Sequence, residues 1–337
     1  MKTFEHGGQI EKFAFDLGCS VTEIIDLSSN INFVKPQINI DFNTLDISSY
    51  PTYDKLYEKI AFNYGVETSQ IELFNGGSSA IFTLFKHLNL NSCTIYSPAY
   101  LEYKKAALNF EYELHTIDRF ENIKEDVKEN SLVIFVNPST PDGKYYDLEE
   151  LMEFWIKKSC TILIDESFLD FCDKPSAIKY LETYDKLYIL KSMTKFYSSA
   201  GIRVGTIVST KENIKKLKEF EPMWKLSQFD SNYLQAALED KLFKSISKAI
   251  NIKNKIELEN ILKNSTLVEE IFESSANYVL VKLKNLSAKK FQELLKPYKI
   301  MVRDCSNFDY LNSSHVRIAV KSSNANETLQ KALNEIC

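Results

Sequence analysis

A chain of 337 residues with 44% hydrophobic side chains can bury the cores of two domains, and its net charge of −5 argues against nucleic acid and anionic membranes as partners. No apolar run approaches the ~20 residues that a membrane span needs, and the start MKTFEHGGQ lacks a signal-peptide core, so we expect a cytoplasmic protein without membrane contact. The six cysteines have no CxxC spacing, which predicts neither a metal site nor a disulfide framework.

Short apolar runs alternate with helix-length segments through the middle of the chain. Such alternation is typical of an α/β domain in which helices cover both faces of a mostly parallel sheet. The predicted strands are residues 93–97, 112–117, 132–136, 161–165, 186–190 and 203–209, and residues 147–158 form one of the predicted helices between them.

The chain changes character after about residue 211. Two long charged segments, 211–220 and 233–268, have the composition of helices, and three strand-like runs follow them. This order predicts a second, smaller α+β domain. The predicted strands of this domain are residues 278–283, 300–305 and 315–320.

An acid, a lysine and an arginine lie between residues 165 and 203, before the change of character. Asp165 ends the strand run ILID, Lys195 lies in SMTK and Arg203 lies in GIRVG. Pyridoxal phosphate chemistry needs a carboxylate that keeps the pyridine nitrogen protonated, a neutral lysine that attacks the aldehyde, and a cation for the phosphate. The hydroxyls of Ser192 and Thr194 also suit a phosphate. Each residue alone is commonly an ordinary strand-end or surface group, so the hypothesis rests on the combination.

The candidate cofactor groups all lie before residue 211, which suggests how the chain divides. We predict that residues 1–41 form an N-terminal arm belonging to the small domain. Residues 42–230 are the predicted large, cofactor-binding domain, and residues 231–337 complete the small domain.

A series of motifs runs through nearly the whole chain. They are HGG (6–8), DLSSNINF (26–33), SSYPTY (48–53), NGGSSAI (75–81), SPAYLEY (97–103), NPSTPDG (137–143), IDESFLDF (164–171), LKSMTKFYSSAGIRVG (190–205), VRDCSNFDYL (302–311) and HVRIAV (315–320). Their order resembles fold type I pyridoxal phosphate enzymes of the histidinol-phosphate aminotransferase group. HGG, TKFY and RDCSNF make the chain most similar to the threonine-phosphate decarboxylases of cobalamin biosynthesis. The resemblance implies a large domain with a mostly parallel sheet between helices, and a smaller α+β domain.

The resemblance implies further cofactor contacts in the large domain. The backbone amides of Gly77 and Ser78 would bind the phosphate at a helix start, where the helix dipole independently favours an anion. Tyr100 matches an aromatic residue that stacks on the pyridoxal ring. Tyr50 matches a tyrosine that reaches the phosphate from the other subunit, which implies a homodimer with shared active sites. The plainer alternatives are that Gly77 and Ser78 belong to an ordinary turn and helix cap, and that the two tyrosines are ordinary core or surface residues.

Two positions depart from the pattern of the family. Thr140 stands where an asparagine contacts the 3-oxygen of the cofactor, and its shorter hydroxyl would reach that oxygen through water. Phe168 stands where a tyrosine is the common second partner of the same oxygen, as it can in the decarboxylase branch. We therefore expect the 3-oxygen to be held less firmly than in the aminotransferases.

Substrate recognition is predicted in the small domain and the N-terminal arm. Arg303 and Arg317 match two arginines that in relatives bind the carboxylate and the phosphate of the substrate, and planar guanidinium groups suit both anions. His6 resembles an arm histidine that approaches the substrate phosphate, with Gly8 allowing close backbone approach. Asn32 is expected to line the same pocket. The predicted partner is thus a small phosphorylated amino acid or amine.

The same apparatus serves decarboxylation and transamination. The Cα bond that breaks is the one perpendicular to the cofactor ring, so the anchoring of the substrate anions decides the reaction. We favour decarboxylation of threonine phosphate or serine phosphate to an amino-alcohol phosphate. An aminotransferase acting on a histidinol-phosphate-like substrate is the alternative, and a non-catalytic binding protein, suggested by Thr140, is a second one.

Overall fold

The structure, a computed structural model, describes residues 8–336. In chain order its strands are β1 (Ile25–Asp26), β2 (Ile71–Asn75), β3 (Ser92–Ser97), β4 (Glu113–Asp118), β5 (Leu132–Val136), β6 (Thr161–Asp165), β7 (Leu187–Lys191), β8 (Val204–Val208), β9 (Val268–Ile271), β10 (Tyr278–Leu283), β11 (Ile300–Met301), β12 (Arg303–Asp304) and β13 (His315–Ala319). Its α-helices are α1 (Ile10–Leu17), α2 (Asp54–Tyr64), α3 (Gly76–Leu88), α4 (Leu101–Asn109), α5 (Glu149–Lys157), α6 (Met193–Phe196), α7 (Lys211–Lys218), α8 (Gln228–Glu239), α9 (Phe243–Lys263), α10 (Ala288–Leu295) and α11 (Ser323–Ile336).

Strands β2 to β8 form a seven-stranded sheet in the order β2-β8-β7-β6-β5-β3-β4. Strand β8 is antiparallel to both of its neighbours, and the other pairs are parallel. Apolar cores pack on both faces, one containing Trp155 and the other containing Phe85. This two-sided burial is why runs such as LVIFV in β5 are apolar throughout. The predicted α/β class and all six predicted strands of this region are confirmed.

The smaller sheet is antiparallel, with the order β12-β13-β10-β9. Its apolar face packs against α9, α10 and α11 around Leu258, Phe291 and Leu329. The short strand β1 pairs in parallel with β11, so the N-terminal part of the chain contacts this second unit. The predicted domain boundaries at residues 42 and 231 stay predictions. No helix within residues 8–336 combines the length and apolar content required to cross a membrane.

Two predicted elements are wrong in their extent. The helix expected over 233–268 is two helices, α8 and α9, because the Asp240 carboxylate accepts the N–H groups of Leu242 and Phe243 and begins a new helix. Its last residue, 268, already belongs to β9. The strand expected over 300–305 is split into β11 and β12, which pair with different partners, and the Val302 N–H between them donates to the Gln292 side chain at 2.9 Å.

Candidate active site

A cavity of about 370 Å³ lies between the carboxyl ends of β6 and β7 and the strands β12 and β13. Parallel sheets bind ligands at this edge, and the volume is in the range of small-molecule sites. Most of the residues predicted for the site line this one cavity. They are Gly8, Gly77, Ser78, Tyr100, Thr140, Asp165, Phe168, Ser192, Thr194, Lys195, Arg203, Arg303 and Arg317.

Two predicted residues within 8–336, Asn32 and Tyr50, are not part of the cavity wall. The Asn32 side chain is buried and donates to the Phe196 carbonyl at 2.7 Å and to the Ser247 hydroxyl at 2.6 Å, so the expectation that it lines the pocket is wrong. Tyr50 is 71% exposed and stacks on Trp224 with ring centroids 4.1 Å apart. His6 lies outside the described residues.

Asp165 is held at the end of β6 by donors to both carboxylate oxygens. The Tyr103 hydroxyl donates to Oδ2 at 2.7 Å, and the Ser167 N–H donates to Oδ1 at 2.9 Å. Burial raises the pKa of the Asp165 carboxyl, and the Ser167 and Tyr103 donors act against that rise. A bound cation would favour the ionised form further, so the carboxylate suits a protonated pyridine nitrogen.

Lys195 is a half-buried residue of the short helix α6 and lines the cavity. Burial, followed by the positive charges of Arg317 and Arg203, lowers the pKa of Lys195 to about 8. Arg317 and Arg203 thus both favour the neutral form of this amine. A pKa of about 8 leaves about a tenth of the amine neutral at pH 7, far more than the ordinary lysine pKa allows, and the neutral form is the one that acts as a nucleophile or accepts a proton.

The N-terminus of α3 forms one wall of the cavity. Gly76 has φ +82°, and a Cβ there would lie 2.3 Å from Arg203 Nη2, so the guanidinium packs directly on the glycine backbone. A Cβ at Gly205 would lie 2.6 Å from the Gly77 nitrogen, which means that β8 and the helix start are in close backbone contact. These glycines let Arg203 and the backbone N–H groups of α3 converge.

Hydroxyl groups complete this end of the cavity. Ser192 and Thr194 hydroxyls lie 3.0 Å apart, and the Ser78 hydroxyl lies 3.1 Å from the Tyr100 hydroxyl. Together with Arg203 they surround the α3 N-terminus with donors, as a dianionic phosphate requires. A buried carboxylate, a lysine of lowered pKa and this donor cluster share one cavity, so the residues present fit pyridoxal phosphate.

Arg303 and Arg317 lie directly opposite each other in the β12–β13 pair. They are 9% and 7% exposed, respectively. Arg303 Nη2 donates to Asn307 Oδ1 at 2.8 Å, and its guanidinium lies over the Phe308 ring. Arg317 Nη2 donates to the Ser28 carbonyl at 3.0 Å. Two buried cations side by side indicate a site for anionic groups.

The two residues that depart from the family pattern are both buried. Thr140 Oγ1 accepts a hydrogen bond from Arg317 Nη1 at 3.3 Å. Phe168 packs edge-on against Tyr278 with ring centroids 5.0 Å apart. Thr140 thus contacts Arg317, and Phe168 contacts Tyr278 of the smaller sheet. Both residues also line the cavity.

Several supporting residues were missed by the sequence reasoning. Tyr103 stands three residues after Tyr100 on the same helical face, a spacing that would have suggested it. Behind the site, the buried Lys191 amine pairs with Glu166, whose carboxylate also accepts the Ala177 N–H at 2.6 Å. No sequence pattern indicates that this pair joins the ends of β6 and β7.

The chain is similar to known proteins over nearly its whole length. The sequence profile of the family described as aminotransferase class I and II matches residues 23–336. A provisionally named threonine-phosphate decarboxylase of Caldanaerobacter subterraneus subsp. tengcongensis is 30% identical over 99% of this chain and 94% of that protein. The adenosylcobalamin biosynthesis bifunctional protein CobDQ of Leptospira interrogans is 28% identical over 98% of this chain, which spans 41% of its length. The crystal structure of the histidinol-phosphate aminotransferase from Clostridium acetobutylicum is similar with 28% identity, a TM-score of 0.82 and coverage of 93% of this chain and 99% of that chain.

Proposed function

The chain belongs to the aminotransferase class I and II family, whose enzymes use pyridoxal phosphate, and we propose that it decarboxylates a phosphorylated amino acid. The proposed substrate is threonine phosphate or serine phosphate, and the products are an amino-alcohol phosphate and CO₂. The observation that carries the proposal is the pair Arg303 and Arg317, opposite each other in one cavity with Lys195. A substrate with two anionic groups matches two buried cations.

The two arginines are proposed to have different anions as ligands. Arg317 is close enough to Lys195 for its charge to lower the pKa of that amine, so an anion bound there lies near the reacting carbon. We assign the substrate carboxylate to Arg317. Arg303 is anchored by Asn307 and Phe308, and we assign the phosphate to it. The N-terminal arm would contribute near Arg317, because the Gly8 N–H donates to the Ser28 hydroxyl at 3.2 Å and Arg317 donates to the Ser28 carbonyl.

Each group near the reacting atoms has a defined task in this proposal. Bound pyridoxal phosphate supplies an electron sink for the pair released when the Cα–carboxylate bond breaks. Asp165 holds the pyridine nitrogen protonated, and Lys195 Nζ delivers the proton that replaces CO₂ on Cα. Arg203, Ser192 and Thr194, with the backbone N–H groups of α3, hold the cofactor phosphate.

We further propose a cytoplasmic homodimer. The support for the homodimer is Tyr50, which is exposed and lies outside the cavity of its own protomer. An aromatic hydroxyl in that position can serve a phosphate only across an interface between two copies. Sites shared in this way would be incomplete in a monomer.

The experiment that tests the proposed reaction compares products with and without an amino-group acceptor. The purified holoenzyme is incubated with threonine phosphate and with serine phosphate, in the presence and absence of 2-oxoglutarate, and the products are analysed by mass spectrometry. The proposal predicts an amino-alcohol phosphate without any keto acid. Product that forms only with 2-oxoglutarate and retains its carboxylate would favour transamination, which the similarity to a histidinol-phosphate aminotransferase makes the second candidate.

A further inference from the structure

Thr140 connects the large sheet to the arginine assigned to the substrate carboxylate. It lies in the loop after β5 and is 6% exposed. Its Oγ1 accepts from Arg317 Nη1 at 3.3 Å, and the same guanidinium lies over the Tyr278 ring, 5.1 Å from the centroid. The Tyr278 hydroxyl in turn donates to the Ser139 carbonyl at 2.6 Å. The network therefore begins and ends in the loop that carries Thr140.

The Thr140 hydroxyl oxygen is an acceptor within this network. A hydroxyl has one proton to donate and accepts through its oxygen. The oxygen accepts from Arg317, and burial raises the pKa of the Tyr278 phenol while the charge of Arg317 and a hydrogen bond with Thr140 act in the opposite direction. The Thr140 oxygen thus contacts Arg317 on the substrate side of the cavity.

Arg317 depends on few groups for its orientation. The Ser28 carbonyl accepts from Nη2, Thr140 accepts from Nη1, and Nε is buried without a hydrogen-bond partner among residues 8–336. A buried guanidinium with an unsatisfied N–H is costly, and an anion bound beside it would offset that cost. The Thr140 hydroxyl is the side-chain contact that can be removed without touching the backbone.

We propose that Thr140 is a positioning residue for substrate recognition, which holds the Arg317 guanidinium in the orientation that binds the substrate carboxylate. This inference rests on the proposed function, in which Arg317 binds that group. It departs from the prediction that Thr140 contacts the 3-oxygen of the cofactor. The threonine at this position then acts on the substrate side of the cavity, and its effect is specific for ligands that carry a carboxylate.

Two substitutions at one position separate the hydroxyl from the shape of the side chain. Thr140→Val keeps the volume and removes the hydroxyl, whereas Thr140→Ser keeps the hydroxyl. Each holoenzyme is titrated with threonine phosphate and with 1-amino-2-propanol phosphate, which lacks only the carboxylate. Affinity for threonine phosphate should fall about tenfold or more in Thr140→Val and should be largely retained in Thr140→Ser, because one hydrogen bond to a charged group is lost. Affinity for the amino-alcohol phosphate should change by less than about twofold.

The pH titration of the cofactor absorbance without substrate provides the second readout. It should be the same in Thr140→Val and in the unmodified protein. A shifted titration with unchanged affinity for threonine phosphate would overturn the proposal in favour of a cofactor contact. Equal losses for both ligands, or equal losses in both variants, would overturn it in favour of a general structural role. If the unmodified holoenzyme releases no CO₂, the proposed reaction fails, but both affinities can still be measured as dissociation constants.

Discussion

Replacing Lys195 by methionine in the cofactor-free protein should increase its stability, and the gain should depend on pH. Burial and the neighbouring arginines lower the pKa of this amine from 10.5 to about 8. A pKa difference of that size means that the charged amine destabilises the folded state by about 3 kcal/mol. Lys195→Met removes the charge and keeps most of the apolar stem, so it removes this cost.

The sign of the pH dependence follows from the pH values at which the folded and the unfolded states release the Lys195 proton. Below about pH 8 both states are protonated, and the folded protein bears the full cost of about 3 kcal/mol. Between about pH 8 and 10.5 the folded state has released the proton while the unfolded chain still holds it, so the unmodified protein gains stability relative to the variant as pH rises. The advantage of Lys195→Met should therefore shrink by about 2 kcal/mol between about pH 7 and about pH 9.5.

Urea unfolding of both cofactor-free proteins across this range measures the effect. Lys263→Met, at the exposed end of α9, is measured in parallel as the control for loss of a surface lysine. A Lys195→Met difference that is flat or grows with pH would refute the argument that this amine is held in an unfavourable environment for its charge.

Three further substitutions test other parts of the site. Gly205→Ala places a Cβ 2.6 Å from the Gly77 nitrogen, so the unfolding free energy should fall by about 1–3 kcal/mol in urea titrations, and an unchanged value would contradict the close contact. Tyr103→Phe removes a donor to Asp165 and should weaken pyridoxal phosphate binding by about tenfold in equilibrium dialysis, whereas unaltered affinity would show that the bond is dispensable. Tyr50→Ala should weaken cofactor binding in a protein that sediments as a dimer, and a fully active monomer would remove the shared-site proposal.

Much of the large sheet is predictable because its strands are buried on both faces. Runs such as LVIFV in β5 and TILID in β6 are apolar over their whole length, and turn residues bound them. The positions of Asp165 and Lys195 after such strands also follow from the sequence, since the carboxyl ends of parallel strands share one edge. The break between α8 and α9 was missed although Asp240, a residue type that favours helix starts, stands at it.

Contacts between distant segments could not be inferred in the same way. The register that brings Arg303 opposite Arg317 depends on the loop between β12 and β13, whose geometry has no simple signature in the sequence. The motif around Asn32 predicts that its side chain lines the pocket. In the structure the side chain donates instead to the Ser247 hydroxyl of helix α9 at 2.6 Å. The contact of Thr140 with Arg317 likewise joins the loop after β5 to strand β13 of the smaller sheet, and it depends on how these distant segments pack.

The most direct test of the proposed reaction follows the carboxyl carbon of the substrate in a single turnover. Threonine phosphate labelled with ¹³C in the carboxylate is mixed with excess holoenzyme in deuterated water, without any keto acid, and the products are analysed by NMR. The account predicts stoichiometric release of labelled CO₂ and one solvent deuterium on the carbon that bears the amine. Retention of the label in an organic acid, with the amino group left on the cofactor, would contradict it.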